Sequence, residues 1–485
     1  MNKGKEFHKE IDLNCKSGIS SVILTDNYVF AGLIGEESNV NVYNYKETNE
    51  NIKDYEYYTP DYILENNHGG ISKLVISPCK NLLLGVTCYG WIYIWDISVL
   101  SHLGDKDNKM NDYSKVESIK PKLSFVNNHP GDSICVDFIN SNIIVTAGIN
   151  PGYSISFISV KTGKKIASYL SRKNEISGLA WPFYFKTNEK DPKDIKNVGD
   201  PNASVNDNAT DSNNNLELAI YFFTNIAIER SSTSGGCWIA LGSTNGFITV
   251  IYLSCVIINK MEKYIEERDS ANKDSNKNND SEDELHLKSS DILWKCQQIS
   301  ELSTDIHSLS WRPRNNSFSN NNTTASNSNS ICLVCGTCDS LLRYCFIETE
   351  DREIIIKKIN LVKITDGMSN SSEINSISFP QNPCSNSSPM IAVAFNKLSS
   401  SKRHPIFVSS DSNNKKIQSF SSFNVYVQDT IHVTNDSNNN NGVTTQTYFY
   451  CIGIHQDIVT CVYISPCCNY IASSSLDGHL HIYTR

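Results

Sequence analysis

Long apolar runs are missing from this 485-residue chain. Its longest, such as 218–223 and 247–253, fall far short of the roughly 20 apolar residues that cross a bilayer, so membrane insertion is excluded. Positive charge is not in excess either. The 43 Lys and Arg stand against 52 Asp and Glu, a net charge of −9, which argues against nucleic acid as the partner. The opening Met-Asn-Lys-Gly-Lys-Glu-Phe-His-Lys-Glu10 is polar and no secretory apolar core follows it, so the chain is expected to be intracellular, cytoplasmic or nuclear. Its 16 cysteines then read as reduced thiols and not as a disulfide framework. Enzyme signatures are absent too: there is no Gly-x-x-x-x-Gly-Lys-Ser/Thr, no Gly-x-Gly-x-x-Gly opening a helix and no His-Glu-x-x-His.

Apolar content is low, at 39% with a mean hydropathy of −0.34, so part of the length is expected to lie outside any core. Five stretches fit that description: 186–215, 259–290, 313–330, 396–421 and 434–445, rich in Asn, Ser, Asp and Lys. Too little apolar surface is available there to offset ordering entropy, and they read as disordered inserts. One short piece, Met261-Glu-Lys-Tyr-Ile-Glu-Glu-Arg268, has room for two helical turns inside such a linker.

Between the inserts the pattern is short, alternating and β-branched, as in Ile71-Ser-Lys-Leu-Val-Ile76, Leu82-Leu-Leu-Gly-Val86 and Trp91-Ile-Tyr-Ile-Trp95. No long, capped helical period competes with it, so the chain reads as all-β. Two segments repeat: Ile71-Ser-Lys-Leu-Val-Ile-Ser-Pro-Cys-Lys-Asn-Leu-Leu83 and Val459-Thr-Cys-Val-Tyr-Ile-Ser-Pro-Cys-Cys-Asn-Tyr-Ile471. Ser77 and Ser465, Gly90 and Gly478, and Trp95 and Tyr483 are each 388 positions apart. Each unit reads strand, Ser-Pro turn, strand, tight Gly turn, strand. This unit resembles the WD40 repeat, with Trp95-Asp96 as its intact dipeptide.

Weaker copies place seven units at about 14–67, 68–128, 129–173, 174–302, 303–370, 371–454 and 455–485. The fourth is read as opening with Glu175-Ile-Ser-Gly-Leu-Ala-Trp181, which leaves 216–229 as an insertion or part of a further blade and an eighth blade as the alternative count. The resemblance implies a single seven-bladed β-propeller over 1–485. In that family the N-terminus often completes the last blade, and residues 6–13 are expected to do so against His479-Leu-His-Ile-Tyr-Thr484.

The resemblance also implies a structural tetrad of His455, Ser473, Asp477 and, at the Trp site, Tyr483. A Ser-His-Asp trio invites a hydrolase reading, but Ser473 lies inside a strand pattern with no nucleophile elbow around it. Cys332, Cys335 and Cys338, followed by Cys345, have metal-like spacing, although residues three apart on a strand point to opposite faces. They are weak metal candidates, and no metal, cofactor or small-molecule substrate is expected.

The function expected of such a chain is that of a non-catalytic scaffold binding other protein subunits of an intracellular eukaryotic complex. A histone- or nucleic-acid-binding propeller and a Cys-cluster metalloprotein are the alternatives. Counting strands a to d in each unit sends 98–121, 186–215, 259–290, 313–330 and 434–445 to the face of the a–b and c–d loops. The other face, with short d–a and b–c turns, is then the expected docking surface. Tyr89 and Trp91 stand at one such turn, with Arg172 and Asp305 at neighbouring d–a positions.

Overall fold

The computed structural model describes residues 7–35, 39–46, 59–103, 116–126, 134–148, 155–169, 223–230, 235–243, 246–274, 285, 287, 292–300, 304–313, 330–339, 341–350, 353–364, 372–380, 390–397, 422–434 and 443–485. Strand β1 (His8–Asn14) comes first in the chain. Blade 1 follows as β2 (Ile19–Leu24), β3 (Tyr28–Leu33), β4 (Val40–Asn44) and β5 (Tyr62–Leu64). Blade 2 has β6 (Ile71–Ile76), β7 (Leu82–Thr87) and β8 (Trp91–Asp96), then the short helix α1 (Val99–Leu103) and two strands, β9 (Glu117–Ile119) and β10 (Leu123–Val126). Of these two, β10 completes blade 2, whereas β9 runs parallel to β5 as a fifth strand of blade 1.

Blade 3 is β11 (Ile134–Phe138), β12 (Ile143–Gly148), β13 (Ile155–Ser159) and β14 (Lys165–Tyr169). Blade 4 is β15 (Phe223–Arg230), β16 (Cys237–Ser243), β17 (Phe247–Leu253) and, after helix α2 (Cys255–Asp274), β18 (Ile292–Gln298). Blade 5 is β19 (Ile306–Arg312), β20 (Ile331–Thr337), β21 (Leu341–Glu350) and β22 (Glu353–Lys363). Blade 6 is β23 (Ser372–Ser378), β24 (Ile391–Lys397) and the long hairpin β25 (Ser422–Thr434) and β26 (Val443–His455). Blade 7 is β27 (Val459–Ile464), β28 (Tyr470–Ser475) and β29 (His479–Thr484), with β1 as its outer strand.

Inner strands β2, β6, β11, β15, β19, β23 and β27 touch in that order and β27 returns to β2, so the seven sheets form a closed ring. The protein is a seven-bladed β-propeller. Closure is antiparallel pairing of β1 with β29, from His8 opposite Thr484 to Asn14 opposite His479. Ile11 and Leu13 point inward from β1 and are buried, while Lys9, Glu10 and Asp12 face water. Without β1 the backbone of β29 would be an open sheet edge.

A second device repeats around the ring. In six of the seven inner strands the register skips one residue near the start of the strand: at Ser20, Ser72, Thr224, His307, Asn375 and Thr460. Such a bulge bends the inner strand towards the next blade. The residue just before the skip is apolar and buried in each case: Ile19, Ile71, Phe223, Ile306, Ile374 and Val459. Skipped hydroxyls then link blades, with Ser20 donating to the Ile71 carbonyl, Thr224 to that of Ile306 and Thr460 to that of Ile19 at 2.6 Å. Opposite the bulge stands a glycine in three blades, because the next blade's isoleucine sits there. A Cβ at Gly32, Gly242 or Gly336 would lie 2.6, 2.7 or 2.5 Å from Cγ2 of Ile71, Ile306 or Ile374.

Two expectations are corrected. The inner strand of blade 4 is β15, inside the stretch held to be an insertion, and 175–181 lies outside the described residues. β15 takes the position because Phe223, Ile226 and Ala227 bury into the cores on either side, and the Trp311 indole donates to the Ala227 carbonyl at 3.1 Å. Insert 186–215 therefore joins β14 to β15, a d–a connection, and not an a–b loop. The first half of insert 259–290 is helix α2 and not disordered filler. Ile257, Ile258, Met261, Tyr264 and Ile265 share one helical face and pack into the core of blades 3 and 4. Lys161, in the turn between β13 and β14, ties the helix down through Asp269 at 2.5 Å. Residues 314–329, 398–421 and 435–442 of the other inserts lie outside the described residues.

Candidate functional site

The turn between β7 and β8 is Cys88-Tyr89-Gly90. Gly90 takes a φ of 80°, the left-handed conformation a glycine adopts freely, and its amide closes the turn on the Thr87 carbonyl at 3.0 Å. Tyr89 is thrust outward and is 69% exposed. Its ring lies across Gly69, where a Cβ would meet Tyr89 Cδ2 at 2.4 Å. Beneath it, Trp91 stacks on His68 with ring centroids 3.6 Å apart and planes 4° from parallel. Along β8 the stack continues through Tyr93 to Trp95, because residues i, i+2 and i+4 of a strand share a face. Trp95 ends it by donating its indole N–H to the Glu65 carbonyl at 3.1 Å.

Tyr89 has apolar company on the adjoining blades. The b–c turn of blade 1 presents Ile34, 39% exposed, and that of blade 7 presents Leu476, also 39% exposed. Glycines join the three turns by close backbone approach. Gly18 accepts from the Ile34 amide at 2.8 Å, and its Cβ position is 3.2 Å from the Leu476 carbonyl oxygen. Gly70 accepts from the Cys88 amide at 2.9 Å, and its Cβ position is 3.2 Å from Ile34 Cα. Leu476, Ile34 and Tyr89 thus form one apolar arc over blades 7, 1 and 2. Asp305 does not join it: it is half-buried before β19, three blades on from Tyr89. Arg172 lies outside the described residues.

His455, Ser473, Asp477 and Tyr483 come together at the closure of the ring. His455 Nε2 is 2.7 Å from Ser473 Oγ, which is 3.2 Å from the Tyr483 hydroxyl. His455 Nδ1 stands 3.5 Å from Asp477 Oδ2, too long for a good hydrogen bond. Asp477 instead accepts from the backbone amides of Gln456 and His479, each at 2.8 Å. Burial pushes the Asp477 carboxyl up, but those bonds and the His455 ring outweigh it and hold the group well below the usual carboxylate range. Ser473 is fully buried and aimed at two side chains, which leaves no approach for a substrate to its hydroxyl.

One residue pair sequence reasoning missed stands beside them. His481 stacks on His455 with centroids 4.0 Å apart, and Asp12 of β1 reaches both His479 and His481 of β29. The signal, two histidines at i and i+2 in His479-Leu-His481, was present in the sequence, but its carboxylate partner is 467 residues away. Burial lowers the His481 ring below its ordinary value, so it is neutral near pH 7.

The cysteines are not brought to one point. Cys332 packs against blade 6, while Cys335 and Cys345 pack in the core between blades 4 and 5. Burial pushes the Cys332 thiol up to about 12 and that of Cys335 well above its normal value, so both are protonated and are poor metal ligands as they stand. Cys338 is half-buried, and its Sγ lies 2.8 Å from His307 Nε2. A central channel of about 780 Å³ runs between the inner strands. Within it Lys73 reaches Asn225 at 3.3 Å and Arg230 faces Asp137 at 3.6 Å, so its principal charges are engaged within the protein.

No family model matches the sequence, and no curated protein matches it. Among solved structures the chain is similar to the β-propeller domain of Cps50 (Swd1) from Myceliophteria thermophila. The two align at a TM-score of 0.48 and 12% identity, over 99% of this chain and 100% of that one. None of the described helices is long and apolar enough to cross a membrane.

Proposed function

We propose that this chain is a non-catalytic scaffold subunit that holds a protein partner on the apolar arc of Leu476, Ile34 and Tyr89. The observation that carries this is the presence of three exposed large apolar side chains on the b–c turns of three successive blades, whose backbones approach closely at Gly18 and Gly70. Partner interfaces are anchored by aromatic side chains ringed by polar groups, and a tyrosine presented on a rigid turn loses little freedom on binding. Trp91, stacked on His68 and only partly exposed, belongs to the same turn, so of the two candidate anchors Tyr89 is the one presented to a partner. Asp305, before β19 of blade 5, and Arg172 are proposed as secondary contacts of an extended partner. Fifteen cysteines of the described residues are free, which suits a reducing intracellular compartment.

The face bearing α2 is the less suitable one. It also carries the c–d and a–b connections of blades 2, 5 and 6, whereas the turns that bear Leu476, Ile34 and Tyr89 are all short b–c turns. The test is affinity purification of the full chain and of a Tyr89→Ala, Leu476→Ser double variant, with identification of the co-purifying chains. Loss of a stoichiometric partner at unchanged melting temperature is the expected result. Retention of every partner would overturn the proposal.

A further inference from the structure

The ring closure carries a second site. Asp12, His479 and His481 are the one group of three potential metal ligands among the described residues, with one donor atom from each lying within 4.8 Å of the others. His479 Nδ1 is 2.7 Å from Asp12 Oδ1, and His481 Nε2 is 3.3 Å from Asp12 Oδ2. Tetrahedral coordination with bonds of about 2.0–2.1 Å sets donor atoms roughly 3.3 Å apart, so the Asp12–His481 spacing already fits, and the partly open His479 and Asp12 side chains must part by about 0.6 Å to admit an ion. We infer that Asp12, His479 and His481 bind a divalent transition-metal ion that fastens the first strand of the chain to the last.

Three features support the assignment. Two imidazoles and one carboxylate suit zinc-like ions, whereas magnesium and calcium favour sets made of oxygens. The other ring nitrogen of His481, Nδ1, is 3.3 Å from the Tyr483 hydroxyl, the kind of outer contact that fixes the tautomer of a ligating histidine. Tyr483 is itself bonded to Ser473, so the tetrad orients the ligand. His481 is buried while Asp12 and His479 are partly open, which gives the ion a rigid back wall and a way in from solvent. Lys9 Nζ, 2.9 Å from Asp12 Oδ2, competes for the carboxylate; its exposed side chain is free to swing away on loading. The backbone places the ligands, since β1 pairs Asp12 with His481 directly and Asn14 with His479. Metal binding is thereby coupled to ring closure.

Chelator-stripped full chain titrated with Zn²⁺ in a calorimeter should take up one ion per chain and show a higher melting temperature when loaded. His479→Ala and Asp12→Asn, each checked for native circular dichroism, should weaken that site at least tenfold and abolish the thermal shift. Two variants are needed because Asp12 also clasps the two strands without metal. Cobalt substitution separates this site from the cysteines, for it should show d–d bands without a thiolate charge-transfer band. No uptake by the stripped chain, equal uptake by wild type and both variants, or a thiolate band would each overturn the inference.

Discussion

Truncating Leu13 to alanine probes whether β1 is a working part of the ring. Leu13 is fully buried where blade 7 meets blade 1, packed with Ile19, Val22, Leu480 and Ile482. Removing a fully buried leucine costs about 2–5 kcal/mol, the transfer term plus the cavity left behind. Leu480 and Ile482 sit on β29, paired on both sides by β28 and β1, and Ile19 and Val22 on β2, paired with β3, so they have little room to collapse. We therefore expect about 3 kcal/mol, towards the middle of that range. Glu10 on the same strand faces water and supplies the control, since a change to alanine there should stay within about 0.5 kcal/mol. Urea unfolding reads both, with the slope unchanged so that the midpoint reports stability. If Leu13→Ala falls within about 0.5 kcal/mol of wild type, β1 does not dock as described and the closure is wrong.

Three further outcomes follow from particular contacts. Asp477→Ala strips an acceptor from the Gln456 and His479 amides and should cost about 1–3 kcal/mol in urea unfolding; unchanged stability would refute its structural role. Gly336→Val drives a side chain into Ile374 Cγ2, 2.5 Å from the Cβ position, and should cost at least about 1–3 kcal/mol by the same assay, whereas a neutral result would mean that the seam between blades 5 and 6 is looser than described. Asp339 pairs with the buried Arg343, whose Nη1 is 2.9 Å from Asp339 Oδ1. Burial raises the Asp339 carboxyl, but the Arg343 and Thr337 bonds outweigh it and hold the group below its ordinary value. A depressed carboxyl stabilises the fold above its unfolded pKa of about 3.9 and loses that contribution as pH falls further. The stability gap between wild type and Asp339→Asn, about 3–5 kcal/mol for an arginine left unpaired, should be constant from about pH 5 to 8 and shrink below about pH 4. A gap independent of pH throughout would contradict the pairing.

The propeller was legible because two of its units, around Trp95 and Tyr483, kept their turns and aromatic in register. Period-2 alternation and glycine turns are local signals, and they survive without knowledge of the rest of the chain. What failed was local too, but ambiguous. Residues 175–181 read as the inner strand of blade 4 and 216–229 as an insertion or part of a further blade, whereas the packing of Ala227 beneath Trp311, distant in sequence, puts β15 in that place. Helix α2 was obscured by its charged face: Glu262, Lys263, Glu266 and Glu267 dominate the composition while Met261 and Ile265 do the packing. Strand β9 joins blade 1 from within blade 2, a pairing that no repeat pattern encodes. At the candidate sites, Tyr89 and Trp91 were visible as aromatics at a glycine turn. Ile34 and Leu476 were not, because lone apolar residues on turns acquire meaning only when three blades bring them side by side.

The account rests most heavily on the Tyr89 face being the one that meets a partner. A photo-reactive phenylalanine analogue placed at position 89, or at position 263 on the exposed side of α2, tests this in the intact chain. Lys263 is 76% exposed on the opposite face and among the described residues pairs with Glu267 of its own helix, so substitution there leaves the fold intact. Irradiation should attach a partner chain covalently to position 89 and not to position 263. Adducts at 263 with none at 89 would contradict the account.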